Sequence, residues 1–295
     1  MNHQILCIGE VLWDSLPGGL FLGGAPFNVA CHLQMLGADI AFASRIGKDE
    51  LGNQILRRMT NKNIPADFLQ RDPTVKTGIV NVSLLNRDNP QYEIVTPVAW
   101  DFIEETPALL QKASTVDAMV FGTLAQRNPV SRKTIESLRK KTPLCIYDVN
   151  LRPPFAIRDI VQASLLDANL VKLNDHELVQ LSEWFDLSGD LQAAARQLSK
   201  TFQCDTVCVT KGASGAALLH KGEWTEHKGY AVHVRDTVGA GDAFLAALIS
   251  GILAEKDNQQ ILEFANAVGA WVATKEGATP ELNFEEIKSV WSRTK

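Results

Sequence analysis

No apolar run in this 295-residue chain is long enough to cross a bilayer. The longest, residues 243–254, falls well short of the roughly 18 to 20 residues that a membrane helix needs. The first fourteen residues lack the basic flank of a signal peptide, and Glu10 and Asp14 break their apolar stretch, so they read as an opening strand. A soluble, cytoplasmic protein is the expectation. Excess positive charge is missing too: 29 lysines and arginines face 34 acidic residues, a net charge of −5. Neither nucleic acid nor an anionic membrane surface has an electrostatic footprint here. Cysteine is sparse and odd in number, with Cys7, Cys31, Cys145, Cys204 and Cys208 scattered mostly through apolar runs. That suits reduced core thiols better than a disulfide framework. Cys204 and Cys208 are close, but their spacing fits neither a redox CxxC motif nor half of a zinc site.

Several familiar chemical signatures are also absent. There is no GxxxxGK[ST] phosphate loop and no HRD catalytic loop, and residues 239–244 (GAGDAF) lack the third glycine of a dinucleotide fingerprint. Residues 176–180 (HELVQ) carry Gln180 where a zinc hydrolase needs its second histidine. At 45% hydrophobic and 21% charged residues, the chain has the apolar surface of a globule and not the composition of a disordered segment. Its length allows one large domain or two ordinary ones, at about 150 residues each.

Neither a linker nor an internal repeat divides the sequence. From the middle onward, short Val/Ile/Cys-rich runs at 117–121, 144–149, 170–173 and 205–210 read as strands buried on both faces. Helical patterns at 130–140, 157–166, 175–181 and 191–202 lie between them. This alternation predicts βαβ units and an α/β sheet clothed by helices on both sides. Apolar helices at 243–254 and 259–274 close the core. Residues 10–22 and 77–95 break the alternation with period-2 patterning, the second around a turn at 86–90, and predict a small β layer beside the main sheet.

Two motifs stand out. Residues 236–242 (DTVGAGD) run directly into an apolar helix, and small residues at Gly239, Ala240 and Gly241 allow the outward-pointing amides of a helix start to approach an anion. Asp242 at its mouth suits either of two roles: capping the helix, or accepting a proton from an attacking hydroxyl. Residues 23–28 (GGAPFN) put adjacent glycines before a second helix, over 29–36, with the Asn28 amide able to donate to and accept from hydroxyls. Taken alone, that motif is equally an ordinary glycine-rich turn.

Together these stretches resemble the two signatures of the PfkB, or ribokinase-like, family of carbohydrate kinases. Gly37 and Gly47, residues 148–152 (DVNLR), 172–177 (KLNDHE) and 210–212 (TKG) with Gly215 extend the resemblance over the whole chain in the family's order. It implies a ribokinase-like three-layer α/β sandwich with a mostly parallel central sheet, as one domain over 1–295. A small β-sheet lid would form from about 10–22 and 77–103. By the same resemblance, Asp242 is the general base, and Gly239, Ala240 and Gly241 supply the anion hole for the transferring phosphoryl group. Asp14, Gly23, Gly24, Asn28 and Arg152 hold the sugar. Thr210, Gly212, Gly215, Asn266 and Asn174 line the ATP, and Asn174 with Glu177 organises Mg²⁺ through water. Asp236 and the Val238 carbonyl, facing the loop near Gly277, match a monovalent-cation site for K⁺.

Within the family, GEVLWDSLP, LGGAPFNVACHLQMLG and DVNLRPP look most like bacterial fructokinases, which implies D-fructose to fructose 6-phosphate. Ribose, an amino sugar, a ketodeoxy acid or a nucleoside is the alternative substrate, and a non-catalytic sugar or nucleotide sensor the alternative class. A Rossmann-type oxidoreductase is disfavoured by the missing fingerprint. Phe27 beside Asn28 and Trp13 beside Asp14 are bulky departures that would reshape a sugar pocket if they faced it. Trp13, Phe21, Trp100 and Phe102 are either core aromatics or part of a sugar-facing lid or a homodimer contact.

Overall fold

The computed structural model describes residues 3–16, 18–83 and 91–292; the predicted turn at 86–90 lies outside them. Among the strands, the central ones form where the sequence is apolar almost without interruption, and the edge ones carry more polar residues. In chain order they are β1 (Gln4–Ile8), β2 (Leu12–Leu16), β3 (Gly19–Gly23), β4 (Asp39–Gly47), β5 (Leu69–Asp72), β6 (Gly78–Ser83), β7 (Gln91–Ile94), β8 (Ala118–Gly122), β9 (Cys145–Asp148), β10 (Leu170–Asn174), β11 (Thr206–Thr210), β12 (Ala216–His220) and β13 (Glu223–His227). Nine of them make the main sheet, in the order β13-β12-β11-β10-β9-β8-β1-β4-β5. It is parallel from β11 to β5, and β12 and β13 add an antiparallel edge.

The helices are α1 (Ala25–Met35), α2 (Glu50–Asn61), α3 (Pro107–Ala113), α4 (Pro129–Arg139), α5 (Arg158–Leu166), α6 (Asp175–Phe185), α7 (Leu191–Phe202), α8 (Ala240–Leu253), α9 (Asn258–Ala273) and α10 (Phe284–Trp291). Alternate strand residues feed two cores. Ile5, Cys7, Val120, Ile146, Leu170 and Cys208 point to one side, with apolar residues of α1, α2, α8, α9 and α10. Leu6, Met119, Phe121, Tyr147, Val171 and Val209 point to the other, with those of α3 to α7. This is the expected three-layer sandwich, and the predicted strands and helices of the second half lie within about four residues of the observed ends. All five cysteines are buried and unpaired. Among the described residues no helix is long and apolar enough to cross a membrane.

A separate four-stranded sheet, β3-β2-β6-β7, takes up the period-2 segments. The bounds 77–103 overreach it, because its last strand ends at Ile94 and residues 99–102 wind into a single 3₁₀ turn. The physical reason is Trp100. Its ring is fully buried, with the Arg127 guanidinium 3.9 Å above it. Arg127 also stacks on Phe155, pairs with Asp101 at 2.6 Å and donates to the Val95 carbonyl at 2.7 Å. Trp13, on β2, is buried as well and donates to the Leu51 carbonyl, while Phe21, on β3, is 45% exposed. Two of the four flagged aromatics, Trp13 and Trp100, are thus core.

The Asp101–Arg127 pair is only 1% and 3% exposed, and removing one member of so buried a pair strands the other charge, at a typical cost of about 3–5 kcal/mol. Arg127→Met is therefore expected to lower the free energy of unfolding in urea by about 3 kcal/mol. A loss under about 1 kcal/mol would show that the pair merely balances its own desolvation.

Candidate active site

Four of the parallel strands, β1, β9, β10 and β11, deliver polar residues on or just beyond their carboxyl halves, the end where open α/β sheets bind ligands. Glu10 follows β1, Asp148 ends β9 with Asn150 and Arg152 beyond it, Lys172 lies midway along β10, which Asn174 ends, and Thr210 ends β11. The first turn of α8 faces this row.

The start of α8 is built by absence of side chains. Gly239 is its N-cap at φ 78°, and a Cβ there would come within 2.4 Å of the Ala278 carbonyl oxygen. That same carbonyl accepts from His32 Nε2 of α1 at 2.9 Å, so α1, the 278 loop and α8 are locked together. The first intrahelical bond runs from Ala243 N to Gly239 O, and Ala240 N turns back to the Thr237 carbonyl at 3.2 Å. The amides of Gly241 and Asp242 precede that first bond and point outward at the positive end of the helix. Of the three residues expected to form the anion hole, Ala240 thus has its amide engaged in a turn, and the outward donors fall one residue later.

Asp242 does not cap α8; its Oδ2 accepts from Asn28 Nδ2 at 2.8 Å. Burial pushes its pKa up to about 6, with the Asp148 carboxylate adding to the rise and Asn28, Lys172 and Arg152 opposing it. Asn28 reaches this point because Gly24, at φ 109°, lets the backbone pass where a Cβ would meet the Glu10 carbonyl oxygen at 2.4 Å. Asp14 lies over Gly23, whose Cβ position is 2.5 Å from Asp14 Oδ2, and burial raises this carboxyl to about 6. The exposed Arg152 guanidinium opposes that rise, as it does for Glu10 and Asp242, so these three carboxyls all lie within the field of one cation. Phe27 and Trp13 do not face them. Phe27 is fully buried edge-on against Phe42, and Trp13 points into the core, so neither bulky departure narrows the expected sugar pocket.

Asn174 and Glu177 form a capping box: Asn174 Oδ1 accepts from Glu177 N, and Glu177 Oε2 from Asn174 N, each at 2.8 Å. Glu177 Oε1 accepts from Leu151 N at 2.8 Å, so the carboxylate ties β10 to the loop after β9. Burial and Asp148 raise its pKa. Among the described residues no cluster of three carboxylate, histidine or cysteine side chains could hold a metal unaided.

The remaining expected residues lie further along the same edge. Thr210 donates to the Leu173 carbonyl at 3.4 Å, and Lys211 N to the Gly215 carbonyl at 2.7 Å, closing a tight turn through Gly212. Gly215, at φ 82°, packs so closely on the His227 carbonyl that a Cβ would sit at 2.0 Å. An open cleft of about 600 Å³ next to this turn is lined by Lys211, Ser214, His227, Gln259 and Glu263 among others. Asn266 is buried on α9 and donates one of its two amide hydrogens to the Leu262 carbonyl at 2.7 Å. Asp236 accepts from Val238 N at 3.0 Å and Gly277 N at 3.2 Å, joining the two loops that were expected to face each other.

Three charged residues in the site carried no expected role. Lys172 and Asp148 pair at 3.0 Å across adjacent strands, and Glu10 is 3% exposed with its Oε2 lacking any partner. Burial, chiefly, pushes Glu10 up to about 7. The available signal was a charge inside an otherwise apolar parallel strand, which is costly unless paired or used.

A family model described as pfkB family carbohydrate kinase matches residues 18–284. A fructokinase of Klebsiella pneumoniae is 28% identical over 97% of this chain and 98% of its own. The fructokinase structure from Xylella fastidiosa with bound ATP superposes with a TM-score of 0.86 at 22% identity, covering 99% of each chain. A Vibrio cholerae fructokinase bound to fructose, ADP and calcium gives 0.84 at 24% identity over 98% of this chain and 99% of its own. These two likenesses reproduce the sandwich and the small sheet as one fold. With 267 consecutive residues under the family model and a carboxylate set against a helix start at its centre, the chain belongs to the pfkB family of carbohydrate kinases.

Proposed function

We propose that the protein transfers the γ-phosphoryl group of ATP to D-fructose, giving fructose 6-phosphate and ADP. The observation that carries this reading is the Asp242 carboxylate, held by Asn28 at 2.8 Å in the first turn of α8 beside outward-pointing amides. Phosphoryl transfer asks mainly for alignment and charge stabilisation, which a base and an anion hole on one rigid element supply. Asp14, Asn28 and Arg152 orient the sugar so that its hydroxyl lies against Asp242. The base takes the proton while the Gly241 and Asp242 amides meet the negative charge of the moving phosphoryl group. Fructose is favoured over ribose, an amino sugar, a ketodeoxy acid or a nucleoside by the Klebsiella relative and by the ligand of the Vibrio structure.

ATP lies along the strand ends, its base side towards the Thr210–Gly212–Gly215 turn and the neighbouring cleft. Mg²⁺ fits this donor set if it keeps its waters and the nucleotide phosphates, as magnesium usually does. Glu177 retains a second lone pair on each oxygen, Asn174 Oδ1 likewise keeps one, and Asp148 Oδ2 is buried without a partner. When bound, the ion neutralises phosphate charge. A K⁺ between the loops that Asp236 joins would stabilise the start of α8. The four-stranded sheet serves as a lid that excludes water, the competing acceptor. Leu20 and Phe21, exposed on its edge strand β3, form its surface for a second copy.

Purified protein supplied with ATP, Mg²⁺ and a sugar panel is expected to release ADP fastest with fructose. A different best sugar would replace the substrate and keep the kinase; nucleotide binding without sugar-stimulated ADP would favour a sensor. Asp242→Asn is expected to bind sugar but to lose at least about two orders of magnitude in kcat, the scale of a positioned base.

The base works as the carboxylate, so its protonation below a pKa of about 6 removes activity. The kcat/KM for sugar should therefore be level above pH 7 and fall about tenfold per unit below the pKa. An acid limb centred near 4 would show that Asp242 is not the group titrating.

A further inference from the structure

Lys172 is a lysine where a parallel strand should be apolar. It lies between Leu170 and Asn174 on β10, in register with Asp148 of β9 on one side and Cys208 of β11 on the other, and points to the layer occupied by α8. Its residue exposure is 8%. Such a charge is retained inside a protein only when something compensates it. Asp148 does so in part, with its Oδ1 accepting from Lys172 Nζ at 3.0 Å. An ammonium has three donors, and among the described residues this is the one hydrogen bond it makes. The rest of the group faces the start of α8: a Cβ placed on Gly241 would stand 3.5 Å from Lys172 Nζ. Burial works against the charged form, but Asp148, Glu177 and Asp242 outweigh it, and the side chain stays cationic.

We infer that Lys172 is a catalytic residue that binds the transferring phosphoryl group, using its free donors beside the Gly241 amide. This rests on the kinase reading above and adds a residue to it. In the step, the sugar oxygen forms a bond to the γ-phosphorus and the bond from that phosphorus to the β–γ bridging oxygen breaks. Its electron pair leaves on ADP, and the hydroxyl proton goes to Asp242. Lys172 exchanges no proton; its charge offsets the equatorial phosphoryl oxygens where they pass the helix end. Asp148 is its positioning residue, holding one donor from the adjacent strand so that the others project forward.

The test compares Lys172→Met, Asp148→Asn and the unaltered enzyme, measuring kcat and KM together with the affinity for Mg²⁺–ADP and for a non-hydrolysable Mg²⁺–ATP analogue. Lys172→Met is expected to lower kcat about 10²- to 10³-fold, the scale seen when one charge-stabilising donor is removed. The KM for sugar should stay within about threefold, and the ATP analogue should weaken at least tenfold more than ADP. Asp148→Asn, which leaves the ammonium in place, should keep the preference for the analogue over ADP. An equal loss of ADP and analogue affinity, or a kcat within about threefold of the unaltered enzyme, would overturn the role. If Lys172→Met does not fold, Lys172→Gln gives the same comparison. Turnover of the unaltered enzyme on the sugar panel judges the kinase reading separately, so the two failures are distinguishable.

Discussion

The hydrogen bond from Asn28 to Asp242 joins two residues 214 positions apart, and the site exists only where that bond can form. It requires α1 and α8 to begin side by side, which side chains at their entrances would prevent. Gly24 meets the Glu10 carbonyl and Gly239 the Ala278 carbonyl, each at a distance no Cβ could share, and both have φ values that other residues adopt at a cost. His32, buried on α1, then closes the arrangement by donating to the same Ala278 carbonyl. The two glycine motifs, far apart in the chain, are therefore two halves of one packing requirement, and the proposed base and anion hole are its by-products.

Around that bond the charges are unbalanced by design of the sheet. Asp148, Glu177, Asp242, Glu10 and Asp14 converge with Lys172 and Arg152, and burial raises Glu177, Asp242, Glu10 and Asp14 above their ordinary values. For Asp242 in its proposed role as base this is useful, because a carboxylate with a pKa near 6 holds a proton more readily than an ordinary aspartate and is still ionised at neutral pH. The same low-dielectric surroundings that raise these carboxyls strengthen the pull of the cations on an arriving phosphate. Lys172 is the better placed of the two, since Arg152 is exposed to solvent.

The layered fold was legible because buried parallel strands and amphipathic helices write different periods into the sequence; the helix predicted at 191–202 is α7 residue for residue. The start of α8 was placed at 243 and lies at Ala240, because small residues that look like a loop can also begin a helix when the ligand side must stay bare. Period-2 patterning over 77–95 ends within a residue of Ile94, whereas the lid bound of 103 that the resemblance implied runs on into a turn locked by the buried Asp101–Arg127 pair. Asn28 and Asp242 were identifiable from motif chemistry. Their mutual contact was not, since sequence gives no distance between α1 and α8. Lys172 and Asp148 were visible as letters but carried no role, because only the register of β9 against β10 shows that they pair and only the backbone of Gly241 shows where the ammonium points. Phe27 and Trp13 were the reverse case: adjacency in sequence suggested adjacency to sugar, whereas successive side chains on a strand or helix turn to different faces.

A chain of net charge −5 can serve a polyanionic nucleotide because charge acts over short range in salt. At physiological ionic strength the Debye length is about 8 Å, so carboxylates on the far surface are largely screened. A cation held within a few ångströms of the phosphoryl path and shielded from water is not. Total charge therefore constrains what long polymers the protein attracts, and the few groups at the strand ends decide what it can bind. A lysine buried on β10 carries more weight there than the whole surface excess of acid, and the sheet keeps it in place through Asp148 at 3.0 Å.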